Sequence, residues 1–222
     1  MGSHCVYVST SGIFCTHHLG FKMKIVKNIT NKLFKPKTRL DKVANILNSI
    51  KNLDLNVLDT DELSKFEQSF GITLPEDYRN YINKISNGGD GLLYGFLTLE
   101  ESIEVTRRFG KGLPDDIFST EFPHVSSYNP AEDSYWEELS DQVSRKEISY
   151  EDYISEYRYV NAGTLPIFSG GCGTFVRLVI TGPSRGQIWG DDEHNDNGYV
   201  PVEKDFITWI EKFLQRRGLK NS

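Results

Sequence analysis

The sequence predicts an α+β fold built around one principal domain, and three observations carry that expectation. Apolar stripes at helical spacing dominate the first part of the chain, a glycine-punctuated β pattern fills residues 164–203, and one amphipathic helix closes the chain. The order is helix, helix, strands, helices, strands, helix, rather than a regular alternation of strand and helix.

Taken in order, Leu40, Val43, Ile46, Leu47 and Ile50 recur at helical spacing behind Thr38 and Asp41, which have capping-box spacing. Asp59 and Glu62 open a second helix with Leu63, Phe66 and Phe70 on one face and Gly71 as its stop. Pro75 suits a first helical turn, Glu76 and Asp77 complement its dipole, and Tyr78, Tyr81, Ile82 and Ile85 form a buried stripe. After the Asn87-Gly88-Gly89 stop, LLYGFLTL (92–99) reads as a buried strand with Gly95 as a bulge or close-approach point. Residues 110–129 have no clean period, so they read as a long irregular connection whose length suggests a surface function or an insertion.

Two acidic helical patterns follow, at 131–146 and 149–159. TLPIF (164–168), TFVRLVIT (174–181) and QIWGD (187–191) are strands separated by glycine-rich turns, and a loop at 192–198 leads into YVPV. Phe206, Ile207, Trp209, Ile210, Phe213 and Leu214 make the last helix, and Gly218 lies past its end.

Charge divides the chain. Residues 1–58 hold nine bases and two acids, a net of +7, whereas 59–222 carry −13, giving −6 overall across 222 residues. A phosphate-binding surface needs clustered Lys and Arg, so the acidic body argues against a general nucleic-acid binder. No run of 18 apolar residues occurs, which excludes a membrane-spanning helix. Cys5, Cys15 and Cys172 form no CxxC pair and suit a reducing, cytoplasmic setting.

Residues 1–22 open MGSH in the manner of a cloning remnant and lack a secretory pattern. Their His4, Cys5, Cys15, His17 and His18 match no common zinc spacing, so an incidental leader is favoured over a metal site. Residues 23–58 read as a basic helical extension, in which Ile25, Ile29, Leu33 and Phe34 could face anionic membrane or RNA but more often would pack on their own domain. The main domain is expected over 59–218.

Several blocks together resemble the SUKH superfamily: LSKFEQSFGITLPEDYRNYINKISNGGDG, LLYGFLTL, PIFSGGCGTFVRLVITGPSRGQIWGDD, NGYVP and FITWIEKFL, spanning Leu63 to Leu214. The most specific are LPEDY with a downstream NGG, and GCG with TGPSRGQIW and the aspartates after it. That superfamily includes fungal cell-wall assembly regulators of the Smi–Knr type and many bacterial immunity proteins. The resemblance implies a SUKH-like domain with a mainly antiparallel or mixed sheet wrapped by helices. It implies a non-enzymatic binding protein without a cofactor, most often one that neutralises a toxin, frequently a nuclease. An intracellular regulatory scaffold is the alternative. The basic N-terminus and the acidic block at 131–159 depart from the family pattern.

Catalysis and metal binding are weaker readings. Cys172 with His124 or His194 as base lacks an acidic orienter placed by spacing, so Cys172 reads as structural. GDDEHNDNG fails the calcium-loop spacing in each register tried, so no metal site is assigned. The loop has a better use as part of a partner-binding surface. Asp191, Asp192, Glu193 and Asp196 follow Trp189, while Glu132 and Asp133 flank Trp136. Carboxylates around exposed aromatics suit a basic toxin domain, and the opposite reading makes both tryptophans core. The chain is expected to act as a monomer or small homo-oligomer that contacts protein rather than nucleic acid.

Overall fold

The computed structural model describes residues 38–51, 53–89, 93–107 and 114–219. The leader, its His and Cys residues and the stripe from Ile25 to Phe34 lie outside the described residues. The chain divides into compact units at Met1–Lys42 and Val43–Ser222.

Helix α1 runs Arg39–Asn48. The Thr38 and Asp41 side chains each accept from the other's backbone N–H, at 3.1 and 2.9 Å, so the capping box forms. Val43 and Leu47 are its buried positions. Helix α2 (Thr60–Ser69) begins at Asp59, whose carboxylate accepts from the Asp61 N–H at 2.7 Å. Helix α3 (Glu76–Lys84) follows Pro75 and buries Tyr78, Tyr81 and Ile82. The turn between α2 and α3 is pinned by buried Glu67, which accepts from Leu74 N and from Arg79 Nε, both at 3.0 Å.

The expected strand at 92–99 does not form among the described residues. Phe96 makes an isolated antiparallel bridge to Phe168, and Gly95 turns the chain at φ +97. The close-approach expectation for Gly95 holds: a Cβ there would sit 2.7 Å from the Phe168 ring and 2.8 Å from the Ser169 carbonyl. The strand is cut short by a helix start, because Thr98 and Glu101 form a reciprocal capping box that launches α4 (Leu99–Arg107).

Helices α5 (Ser134–Ser144) and α6 (Tyr150–Tyr157) match the two acidic patterns. Strands β1 (Thr164–Gly171), β2 (Thr174–Val179), β3 (Ile188–Asp192) and β4 (Gly198–Glu203) make an antiparallel sheet in sequence order. Helix α7 (Phe206–Arg216) follows, capped by Asp205. The fold is therefore α+β.

Alternation along β2 and β3 sets two faces. Arg177, Val179, Trp189 and Asp191 point to one, and Leu178 and Ile188 to the other, with Arg177 paired to Trp189 in register. An aromatic cluster ties α7 to α3 and to the Phe96–Phe168 bridge: Phe206 lies 5.0 Å from Tyr81, and Trp209 lies 5.4 Å from Phe96. On the Trp189 side of the sheet, Phe122 and Val160 pack with Val179, Trp189 and Tyr199, and Tyr128, Trp136 and Tyr157 pack against that cluster.

That packing revises the expectation for 110–129. From Pro114 onward this segment is core-forming: Ile117, Phe118 and Phe122 are buried, and Tyr128 bridges to Tyr199 on β4. Its irregular backbone hides the period, because its apolar side chains reach inward from successive turns rather than from one regular element.

Candidate functional site: an acidic helical hairpin and the loop after β3

Residues 132–156 contain nine acids and two bases, a net of −7. Eight of those acids are exposed, and Asp133 is half-exposed. Neither α5 nor α6 contains a fully buried residue. A helix pair with no residue in the core contributes little to closing it and much to what the molecule presents to solvent.

What attaches the hairpin is aromatic. Half-buried Trp136 lies 4.9 Å from the Tyr157 ring, and its indole N–H donates to the Tyr128 hydroxyl at 2.6 Å. Tyr128 in turn donates to Asp133 at 2.8 Å, and Asp133 also caps α5 by accepting from Tyr135 N. Burial, then the bond to Asp133, pushes the Tyr128 hydroxyl up to about 12. The bonds from Tyr135 N and Tyr128 hold the Asp133 carboxyl below the usual carboxylate range.

Two hydrogen bonds join this hairpin region to the acidic loop. Tyr157 donates to Glu193 at 2.7 Å, and Asn129 Nδ2 donates to the Asp196 carbonyl at 2.8 Å. Gly198 lets the two segments meet: at φ +67, a Cβ there would lie 2.6 Å from Asn129 Cα. Within the loop, Asp192 accepts from Asn195 and Asn197, each at 2.6 Å, and these bonds hold its carboxyl below the ordinary range. Asp196 adopts a left-handed conformation at φ +60, which Asp tolerates better than most residues.

The eight expected partner-binding residues thus divide. Glu132, Asp133, Asp192, Glu193 and Asp196 are brought to one region, linked through Asn129 and Tyr157. Trp189 is fully buried under Phe122, 4.9 Å away, so it is no exposed anchor. Asp191 is also buried and ion-paired to Arg177 at 2.6 Å. Trp136 serves mainly to attach α5. The alternation of β3 explains the correction, since it points both Trp189 and Asp191 into the covered face. The exposed aromatics near the acids are Tyr135 and Tyr150, 51% and 65% accessible. Both sit in the acidic helical patterns, where their place just after a cap was the available signal.

Cys172 is exposed at the β1–β2 turn. His124 packs away from any such chemistry, its Nε2 bonded to the Val160 carbonyl at 2.8 Å and its ring stacked on Tyr128. Among the described residues no group of three or more His, Cys, Asp or Glu is arranged to hold a metal ion, and no helix is long and apolar enough to cross a membrane.

No curated protein and no solved structure shows a match to the chain. The family model of the SMI1 / KNR4 family (SUKH-1) matches residues 58–212, from the residue before the α2 cap into α7. With that match covering most of its length, the chain belongs to the SMI1 / KNR4 family (SUKH-1).

Proposed function

We propose that this chain is a non-enzymatic immunity protein that binds a basic toxin domain through the α5–α6 hairpin and the adjoining loop at 192–196. The observation that carries the reading is the hairpin itself: a net of −7 over residues 132–156, whose two helices contain no fully buried residue, joined to further carboxylates through Tyr157 and Asn129. Membership of the family supports a protein-binding role.

A nuclease toxin is the partner class that best fits this surface. Its phosphate-binding cleft concentrates Lys and Arg, and an acidic surface can speed encounter with it and block it. Tyr135 and Tyr150 supply large, amphipathic contacts beside the carboxylates. The action is placed in the cytoplasm, where such a toxin would meet nucleic acid.

Co-expression with the toxin encoded beside this gene is the test. The expected result is rescued growth together with a complex that survives gel filtration. Neither rescue nor complex would overturn the reading, and binding to a cell-wall assembly factor instead would favour a regulatory scaffold.

A further inference from the structure

A cavity of about 150 Å³ lies between the Trp189 face of the sheet and the segments around α4 and Asn161. That volume is of the size that accepts a benzene-sized molecule. Val105, Ile117 and Phe175 give it apolar walls, while Arg177, Asp191, Glu193, Asn161 and Tyr199 supply polar groups. This combination of mostly apolar lining and a few convergent polar atoms is the usual make-up of a small-ligand site.

The polar groups are incompletely satisfied, and in a complementary way. Arg177 is 2% exposed, yet only two of its nitrogens are engaged: Nε with Asp191 at 2.6 Å, and Nη1 with Thr164 Oγ1 at a long 3.4 Å. No described residue accepts from its Nη2. Tyr199 is likewise a buried residue, and its hydroxyl accepts from Asn161 at 3.4 Å and donates to none of the described residues. On the acceptor side, Asp191 Oδ1 receives only a 3.3 Å contact from Glu193 N, and Glu193 accepts from Tyr157 through Oε1 alone. Donors that face a cavity without a protein acceptor are groups a ligand can satisfy, so this pattern marks a place for a ligand atom.

We propose that this cavity binds an uncharged primary carboxamide on a short aliphatic body, with its carbonyl accepting from Arg177 Nη2 and Tyr199 and its NH2 donating to Asp191 or Glu193. Charge balance favours an uncharged group. Asp191 is already matched by its ion pair with Arg177, and Glu193 adds a further carboxylate to the lining, so a carboxylate ligand would bring like charge into a partly enclosed space. An alkane would fill the walls but leave the Arg177 and Tyr199 donors unmet. The same group is available as a free small amide or as a Gln or Asn side chain. The site does not rest on the toxin-binding reading.

Isobutyramide, isobutyrate and N-acetylglutamine N-methylamide, each titrated into the full chain and followed by 1H–15N correlation spectra, test this. Isobutyramide should give saturable shifts clustered at residues 173–177, 191–194 and 199, with isobutyrate at least about tenfold weaker, the factor of one hydrogen-bond-scale difference. Tighter binding of the glutamine derivative assigns the group to a side chain, and equal or weaker binding to a free amide. Tyr199→Phe should weaken isobutyramide about fivefold or more with the urea midpoint retained. Thr106→Phe, which enlarges a lining residue on α4, should abolish binding even where the first variant folds poorly. No saturable shift, isobutyrate binding as well as the amide, or binding that survives Thr106→Phe would overturn the proposal. Toxin rescue is read separately.

Discussion

The Nε of Arg177 lies 2.6 Å from Oδ2 of Asp191, and the two side chains are 2% and 6% exposed. They sit on neighbouring strands on the same face, two positions out of direct register, since Arg177 faces Trp189 and Asp191 faces Phe175. Removing one member of a buried pair leaves the other charge uncompensated, which costs about 3–5 kcal/mol. Asp191→Ala should therefore lower the urea-unfolding midpoint sharply. A midpoint equal to the parent's would show that Arg177 finds another partner or water. Charge reversal at this position consequently reports on folding rather than on encounter with a partner.

Encounter is better probed on the hairpin. Glu137 and Asp141 are exposed on α5 and lie outside the Tyr128–Asp133–Trp136 chain. Glu137→Lys with Asp141→Lys should slow association with a basic toxin by about tenfold at low ionic strength, and the deficit should shrink as salt is added. The thermal midpoint should hardly move. Stopped-flow measurement across a salt series decides it, and an unchanged on-rate would remove the hairpin from the interface.

Gly95→Ala should destabilise the fold by about 1–3 kcal/mol through overpacking. The added methyl meets the Phe168 ring and the Ser169 carbonyl, and φ +97 is itself unfavourable for alanine. Because Ser169 N donates to the Gly95 carbonyl at 2.7 Å, the Phe96–Phe168 bridge should loosen with it. Loss of protection of the Ser169 amide in hydrogen exchange would register this locally.

His124 makes stability depend on pH. Burial lowers its pKa below the ordinary histidine value, with the bond to the Val160 carbonyl opposing that shift. The unfolded chain therefore binds a proton at a pH where the folded chain does not. This contribution is fully present above the unfolded pKa of about 6.5 and is lost as pH falls from there through the folded pKa. His124→Gln keeps a donor for Val160 but cannot titrate in this range. Between pH 7.5 and 5.5 the parent should lose more stability than the variant. Equal losses would assign the acid sensitivity to other groups.

The helices were the most legible part of the chain, for a local reason. On α3 the stripe of Tyr78, Tyr81 and Ile82 needs only helical spacing to declare its face, and all three are buried. Thr98 and Glu101 carried an equally local signal for α4, masked by the apolar run before them. LLYGFLTL has strand composition, yet Gly95 turns it and only Phe96 pairs. Composition describes what a segment tolerates, while pairing depends on a neighbour distant in sequence.

The sequence by itself determined the charge division, the caps, the glycine punctuation of the sheet and the family-like blocks, because each depends on residues close together in the chain. Only the tertiary structure decided which acids reach solvent. Asp191 and Asp192 are adjacent, yet alternation along β3 turns the first toward the Trp189 face, where it is buried, and leaves the second partly exposed. Packing on that face turned Trp189 from a surface anchor into core and closed a cavity beside Arg177 and Tyr199. Strand period assigns a side chain to one of two faces; which face is covered is set by segments distant in sequence, such as the one that carries Phe122.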